Sequence, residues 1–230
     1  MIYLLLLALL GLLIYGPQLW VTYVLRRHSR PLPALPGTGA QLAQHLLRRF
    51  EFDQVKVERT EPDRDHYDPA DNAVRLSPDV FDGKSLTAVA VAAHEVGHAI
   101  QFNRGEPVTQ LRRRYMGRAA TLQRCGMFIL LLIPLVTAIV PLPHTVLLTA
   151  LVGVLTMLVS VLMYVAILPE EWDASFNKAL PILLQGEYVS EPQIAAVRQV
   201  LKACALTYVA AALADILRLW RWLAILRALR

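Results

Sequence analysis

The chain holds only two cysteines in 230 residues, Cys125 and Cys204, and both lie in apolar stretches with no metal-like spacing. That excludes a disulfide framework and a thiolate metal cage, and reads as two buried free thiols. Charge is sparse as well: 18% of residues are Asp, Glu, Lys or Arg, against about 25% in soluble domains. Neither an internal repeat nor a low-complexity tract is visible, so a solenoid is excluded. At this length two large soluble domains are excluded too, and one modest domain with membrane spans is the expectation.

Apolar residues fill the gap. They make up 56% of the chain, mean hydropathy is +0.44, and they are concentrated rather than spread. The net charge is +5 with an isoelectric point near 9.4, but the arginines crowd beside apolar runs. That pattern marks membrane orientation and not nucleic-acid binding.

Residues Ile2 to Leu25 are long enough to cross a bilayer as a helix, and Arg26, Arg27, His28 and Arg30 follow at once. A cleaved signal peptide has its charges before the apolar run, so residues 1–25 read as an uncleaved anchor ending in the cytoplasm. Pro31, Pro33, Pro36, Gly37 and Gly39 then form a linker. The polar region 26–124 predicts a helix over Gly39–Phe50 and short strands at Val55–Val57 and Val74–Leu76. An acidic, turn-rich loop separates those strands, and a helix capped by Ser85 or Asp82 runs to about Phe102.

Cys125–Val140 and Val146–Leu168 read as a transmembrane hairpin (residues 125–168) turned by Pro141-Leu142-Pro143-His144. Arg112, Arg113, Arg114, Arg118 and Arg124 precede it, an orientation signal and lipid contact that places both of its ends in the cytoplasm. Residues 169–230 supply a carboxylate-rich helix start at Pro169, a helix from Glu191 to about Ala214, and a last segment. There Trp220, Trp222, Arg218, Arg221, Arg227 and Arg230 suit an interfacial helix better than a span.

The chemistry centres on His94-Glu95-Val96-Gly97-His98. On a helix, positions i and i+4 share one face, so both imidazoles can reach a single metal ion. Glu95 sits about 100° round from His94, placed to act as a base without ligating. By chance the pattern occurs in on the order of one per cent of chains this long. The small, helix-forming flanks Ala88–Ala93 and Ala99-Ile100 fit a buried active-site helix better than a surface one. A catalytic zinc needs a third protein ligand. Glu170, Glu171 and Asp173 are the candidates; helix-dipole complementation is the competing account of acids at a helix start, and it can hold for Glu170 with Glu171 free to bind metal. His66, and after it Tyr67 or Tyr208, could donate to a developing oxyanion. The strand Asn72–Ser77 could offer a free edge to substrate. His28, His45 and His144 read as surface or interface residues.

These residues resemble the neutral zinc metallopeptidases of the YugP-like bacterial membrane type. The matching stretches are Asp65–Pro69, Val74–Ser77, Ala88–Gln101, Pro169–Ser175 and Ala205–Ala212. More distantly, the chain is similar to the HtpX and prenyl-protein peptidases, which pair HExxH with a later Glu in an E-aromatic-x-A-D pattern. Glu171-Trp172-Asp173-Ala174-Ser175 matches at Glu171, the aromatic and Ala174, and departs at Ser175, where those relatives have Asp. The resemblance implies Glu171 as third ligand, with Asp173 the alternative or an orienting partner of a histidine.

The expectation is a mainly α, integral membrane protein with a small α+β zincin-like catalytic unit. The function expected is zinc metalloendopeptidase of gluzincin-like type, with Zn2+ on His94, His98 and Glu171, and with Glu95 and His66 catalytic. Its partners are a peptide or protein substrate, membrane proteins included, and the lipid bilayer, with no nucleic acid. The site is a multi-pass bacterial plasma membrane, catalytic unit in the cytoplasm. Two alternatives stand beside it: a non-catalytic zinc-containing scaffold or quality-control adaptor, and an intramembrane site-two-type protease. The charged surroundings of the motif and the lack of an LDG-like span argue against the second.

Overall fold

A computed structural model describes residues 2–140 and 142–228. Some helical side chains, including all of 214–230, lie outside the description, and with them the interfacial pattern expected for Arg218, Trp220, Arg221, Trp222, Arg227 and Arg230. The chain forms two compact units, one of residues 1–18, 111–168 and 208–230, the other of residues 19–110 and 169–207.

The second unit holds the mixed structure. It begins within α1 (Ile2–Arg27). Helix α2 (Gly39–Arg49) starts at a capping box, in which Thr38 accepts from Gln41 N–H and the Gln41 side chain accepts from Thr38 N–H. Strands β1 (Lys56–Arg59), β2 (His66–Asp68) and β3 (Ala73–Leu76) form a sheet in the order β1-β3-β2. β1 runs parallel to β3 and β2 antiparallel to it, with Tyr67 opposite Val74.

Two expectations are corrected here. The acidic loop contains a strand, β2, which its sequence hid because only Tyr67 among three residues is apolar. And the strand Asn72–Ser77 offers no free edge: β3 is the central strand, paired on both sides, with Ala73, Val74 and Leu76 fully buried.

After a short turn of helix, α3 (Pro78–Phe81), comes α4 (Leu86–Asn103), and Ser85 caps it by accepting from Ala88 N–H. Every residue from Leu86 to Phe102 is buried. A helix buried on all sides needs small residues where backbones approach, which explains its run of alanines and Gly97. A Cβ on Gly97 would lie 2.7 Å from the Ala174 carbonyl oxygen.

Helix α7 (Pro143–Trp172) passes without a break through Pro169 and leads into a π-helical stretch, Asp173–Ala179, then α8 (Leu180–Gln185). No helix starts at Pro169, so dipole complementation does not account for Glu170 or Glu171. Both lie in the last turn of α7, 0% and 1% exposed. The last helix, α9 (Ile194–Ala228), follows a single 3₁₀ turn.

The first unit is helical. Helix α5 (Thr109–Leu131) starts well before Cys125 and takes in the arginine run, and α6 (Ile133–Ile139) follows the interruption at Leu132, with Pro134 in its first turn. Helices α5 and α7 approach closely where Gly126 meets Gly153 and Met157; a Cβ on Gly126 would lie 2.7 Å from the Met157 side chain. Leu130, Ile133 and Met157 form a buried cluster beside that contact.

Among the described residues, three helical stretches are long and apolar enough to cross a membrane: Thr109–Val136, Leu147–Gln185 and Glu191–Ala211. The last of these qualifies by composition, yet its Val197, Val200, Leu201, Ala203 and Ala205 are fully buried in the protein. The expected N-terminal span falls within α1, although most of its side chains before Tyr15 lie outside the description.

A candidate metal centre

Three buried groups converge on one point. His94 and His98 project from α4 one turn apart, and Glu171 comes from the end of α7. Their ligating atoms all lie within 4.8 Å of one another. His94 Nε2 is 3.4 Å from Glu171 Oε2, and His98 Nε2 is 3.2 Å from the same oxygen.

The groups behind the imidazoles decide what those short distances mean. The Ser175 hydroxyl donates to the Leu201 carbonyl at 3.0 Å. It can therefore only accept from His94 Nδ1, 2.9 Å away. Gln101 Nε2 donates to the Glu170 carbonyl at 3.1 Å and to Asp173 Oδ2 at 2.8 Å. That turns the Gln101 carbonyl oxygen toward His98 Nδ1 at 3.0 Å, so His98 also donates from Nδ1.

With its Nδ1 donating, each imidazole turns its Nε2 toward the Glu171 carboxylate. Two imidazole nitrogens and a carboxylate oxygen brought this close, all buried, form a donor set that a single cation can bind. Tetrahedral zinc with bonds of about 2.0–2.1 Å spaces its ligand atoms about 3.3 Å apart. The donor set, the burial and the spacing all fit zinc.

The support extends further back. Asp173 also accepts from Asn177 at 2.8 Å and from Lys178 at 3.0 Å, and Lys178 pairs with Glu106 at 3.0 Å. The π-helical winding of residues 173–179 carries this arrangement. A π turn inserts an extra residue per turn and so re-aims side chains, here placing Ser175 on His94 and Asp173 on Gln101 while Glu171 keeps its helical position.

Of the residues expected at the site, the structure brings together His94, His98 and Glu171, with Glu95 buried beside them on α4 at 6% exposure. Asp173 is not in the cluster; it reaches His98 through Gln101. His66 is not brought to the cluster. Its strand neighbour Tyr67 packs on Phe102 of α4, and alternation along β2 puts His66 on the other sheet face, where Arg75 binds Asp68, Asp71 and Glu58. His66 Nδ1 lies 2.7 Å from the Arg64 carbonyl.

Tyr67 is committed to a structural contact, donating to Asn72 Oδ1 at 2.7 Å and accepting from Asn103. Tyr208 belongs to the other unit, where it stacks on Tyr164 and meets Arg112. His45, exposed as expected, lies 2.8 Å from the Tyr188 hydroxyl. Sequence reasoning missed Gln101. Its position three residues after His98, on the same helix face, was the available signal.

Outside the centre, two carboxylates are displaced in opposite directions. Burial raises Asp65, against the opposing bonds it accepts from Ser77. Asp68 is held down by the Ala70 N–H it accepts from, and then by Arg75.

With this geometry in view, the sequence comparisons are decisive. The family described as "Putative neutral zinc metallopeptidase" matches residues 2–227 of the chain. The chain belongs to this family. The "Putative membrane protease YugP" of Bacillus subtilis (strain 168) is 31% identical over 221 residues, covering 91% of this chain and 92% of the relative. No solved structure matches. Membership in a zinc metallopeptidase family agrees with the donor set that the buried cluster presents.

Proposed function

We propose that the chain is a multi-pass membrane zinc metalloendopeptidase of gluzincin-like type, in which His94, His98 and Glu171 hold zinc and Glu95 is the general base. The observation that carries this reading is the convergence of two buried imidazoles, each held from its Nδ1 side, and a buried carboxylate, their ligating atoms within 4.8 Å of one another. Bound zinc supplies Lewis acidity, which lowers the pKa of water and polarises a peptide carbonyl.

The protein's own groups do the rest. Glu95 takes a proton from the attacking water and passes it to the leaving amine, the usual task of a carboxylate next to the first histidine of this motif. Ser175 and Gln101 hold the two imidazoles in their metal-binding tautomers. The burial of the cluster strengthens each of these electrostatic contacts by excluding bulk water. The substrate is a peptide or protein, membrane proteins among them. The arginines before the hairpin set the catalytic unit in the cytoplasm of a bacterial plasma membrane.

The test is Glu95→Gln. On this proposal the variant keeps its zinc and loses cleavage of a peptide substrate by at least about 100-fold. Unchanged turnover in that variant would sink the mechanism. A chain that holds zinc tightly and cleaves nothing in any form would instead favour the scaffold alternative.

A further inference from the structure

At the end of α1, Arg26, Arg27, His28 and Arg30 line an open groove of about 750 Å³ together with Leu19, Thr22 and Tyr23. None of these lining residues is acidic. Leu19 and Tyr23 are 65% and 56% exposed, so apolar surface runs directly into the cationic rim. Arg27 donates to the Tyr23 hydroxyl at 2.5 Å and its guanidinium lies over the Tyr23 ring. The Lys202 ammonium lies 6.0 Å from the ring of Trp20, the residue that follows Leu19.

The backbone under these cations is tied down. Thr87 Oγ1 donates to the Leu25 carbonyl at 2.8 Å and Thr87 N–H to the His28 carbonyl at 3.1 Å. Ser29 Oγ donates to the Arg26 carbonyl, and His28 Nε2 lies 3.2 Å from Gln199 Oε1. A stretch that only marks orientation needs charge beside an apolar run, and needs neither a groove nor a fixed frame. Three guanidinium groups held together without a carboxylate repel one another and lower their energy by binding an anion. Arg is also the side chain whose planar fork matches phosphate.

We propose that this groove seats the headgroup of an anionic phospholipid, with Arg26, Arg27 and Arg30 binding the phosphate and Leu19 and Tyr23 lining the apolar side. A free phosphate would use only the cationic rim; a lipid uses the apolar surface as well, and the groove joins the two. The seat rests on the membrane residence proposed above and is independent of catalysis.

The test uses the full chain in nanodiscs of phosphatidylcholine with a minor fraction of phosphatidylglycerol, with retained lipid read by native mass spectrometry. The wild type should retain phosphatidylglycerol selectively. Joint Arg26→Gln and Arg30→Gln substitution should cut that retention about 30-fold, at roughly fivefold per arginine. Joint Arg48→Gln and Arg104→Gln substitution removes the same charge from exposed positions elsewhere and should leave retention unchanged. Equal losses in both pairs, or no selectivity in the wild type, would overturn the seat. Binding of inorganic phosphate as tight as that of the lipid would overturn the lipid assignment. Zinc content read on the same samples separates this result from the peptidase proposal, and failure to enter nanodiscs would count against membrane residence itself.

Discussion

The Ser175 hydroxyl accepts a hydrogen bond from His94 Nδ1 because its own proton is committed to the Leu201 carbonyl. The E-aromatic-x-A-D pattern that this segment resembles has an aspartate at this place. Here a neutral hydroxyl does the orienting, and the charge sits one step further off, on Asp173 behind Gln101. Ser175→Ala should therefore leave the fold intact and weaken zinc binding by about 10- to 100-fold, the usual cost of losing such a partner. Competition with a chelator measures it; unchanged affinity would mean that His94 is oriented by packing alone.

Gln101→Leu is the corresponding test on His98. The substitution keeps the side chain's bulk but leaves His98 Nδ1 and Asp173 without their buried amide. A loss of about 1–3 kcal/mol in stability is expected, together with weaker zinc binding. Denaturant unfolding with and without zinc separates the two effects, and a variant as stable as the wild type contradicts the bonding scheme.

Gly97→Ala should be costly for its size. The added methyl would meet the Ala174 carbonyl oxygen at 2.7 Å, and Ala174 has little room to retreat because Ser175 is bonded on both sides. Overpacking of this kind costs about 1–3 kcal/mol, or a melting point several degrees lower. An unchanged melting point would show that the π-helical stretch shifts freely.

Acid stability should depend on two aspartates with opposite signs. Asp65 has a native pKa above its ordinary 3.8, so the native state keeps a proton that the unfolded chain has released. Stability then falls as pH rises from 3.8 through the raised value, and at neutral pH the full penalty is present. Asp65→Asn removes that penalty and can still accept from Ser77 N–H. It should gain melting temperature relative to wild type as pH rises from acid to neutral.

Asp68 is displaced below 3.8, so its contribution is present above that value and is lost as pH falls through the lowered one. Asp68→Asn should lower the melting point at neutral pH and converge with wild type in strong acid. Parallel pH profiles for either variant and the wild type would contradict the assignment.

What the sequence could reveal followed the range of each interaction. Local signals were readable: the Ser85 cap, the apolar spacing of α2, and the i, i+4 histidines on a buried helix. Glu171 lies 73 residues beyond His98, and only resemblance to a family singled it out. The roles of Gln101, Ser175 and Asp173 depend on a π-helical turn, for which the residue pattern of 173–179 carries no distinct signature. Strand β2 was hidden because tertiary pairing with β3 holds three residues that show no apolar alternation. The free edge was misplaced for the same reason: strand order is set by nonlocal pairing. Pro169 looked like a helix start, since proline favours the first turn, but its place in α7 shows that packing overrode that preference.

Zinc content of the detergent-purified protein, wild type beside Glu171→Ala and Asp173→Ala, tests the central claim most directly. The geometry predicts near-stoichiometric zinc in the wild type, its loss in Glu171→Ala, and retention with weakened affinity in Asp173→Ala, because Asp173 acts only through Gln101. Zinc undiminished in Glu171→Ala, or none in the wild type, would contradict the assignment of His94, His98 and Glu171 as a metal centre.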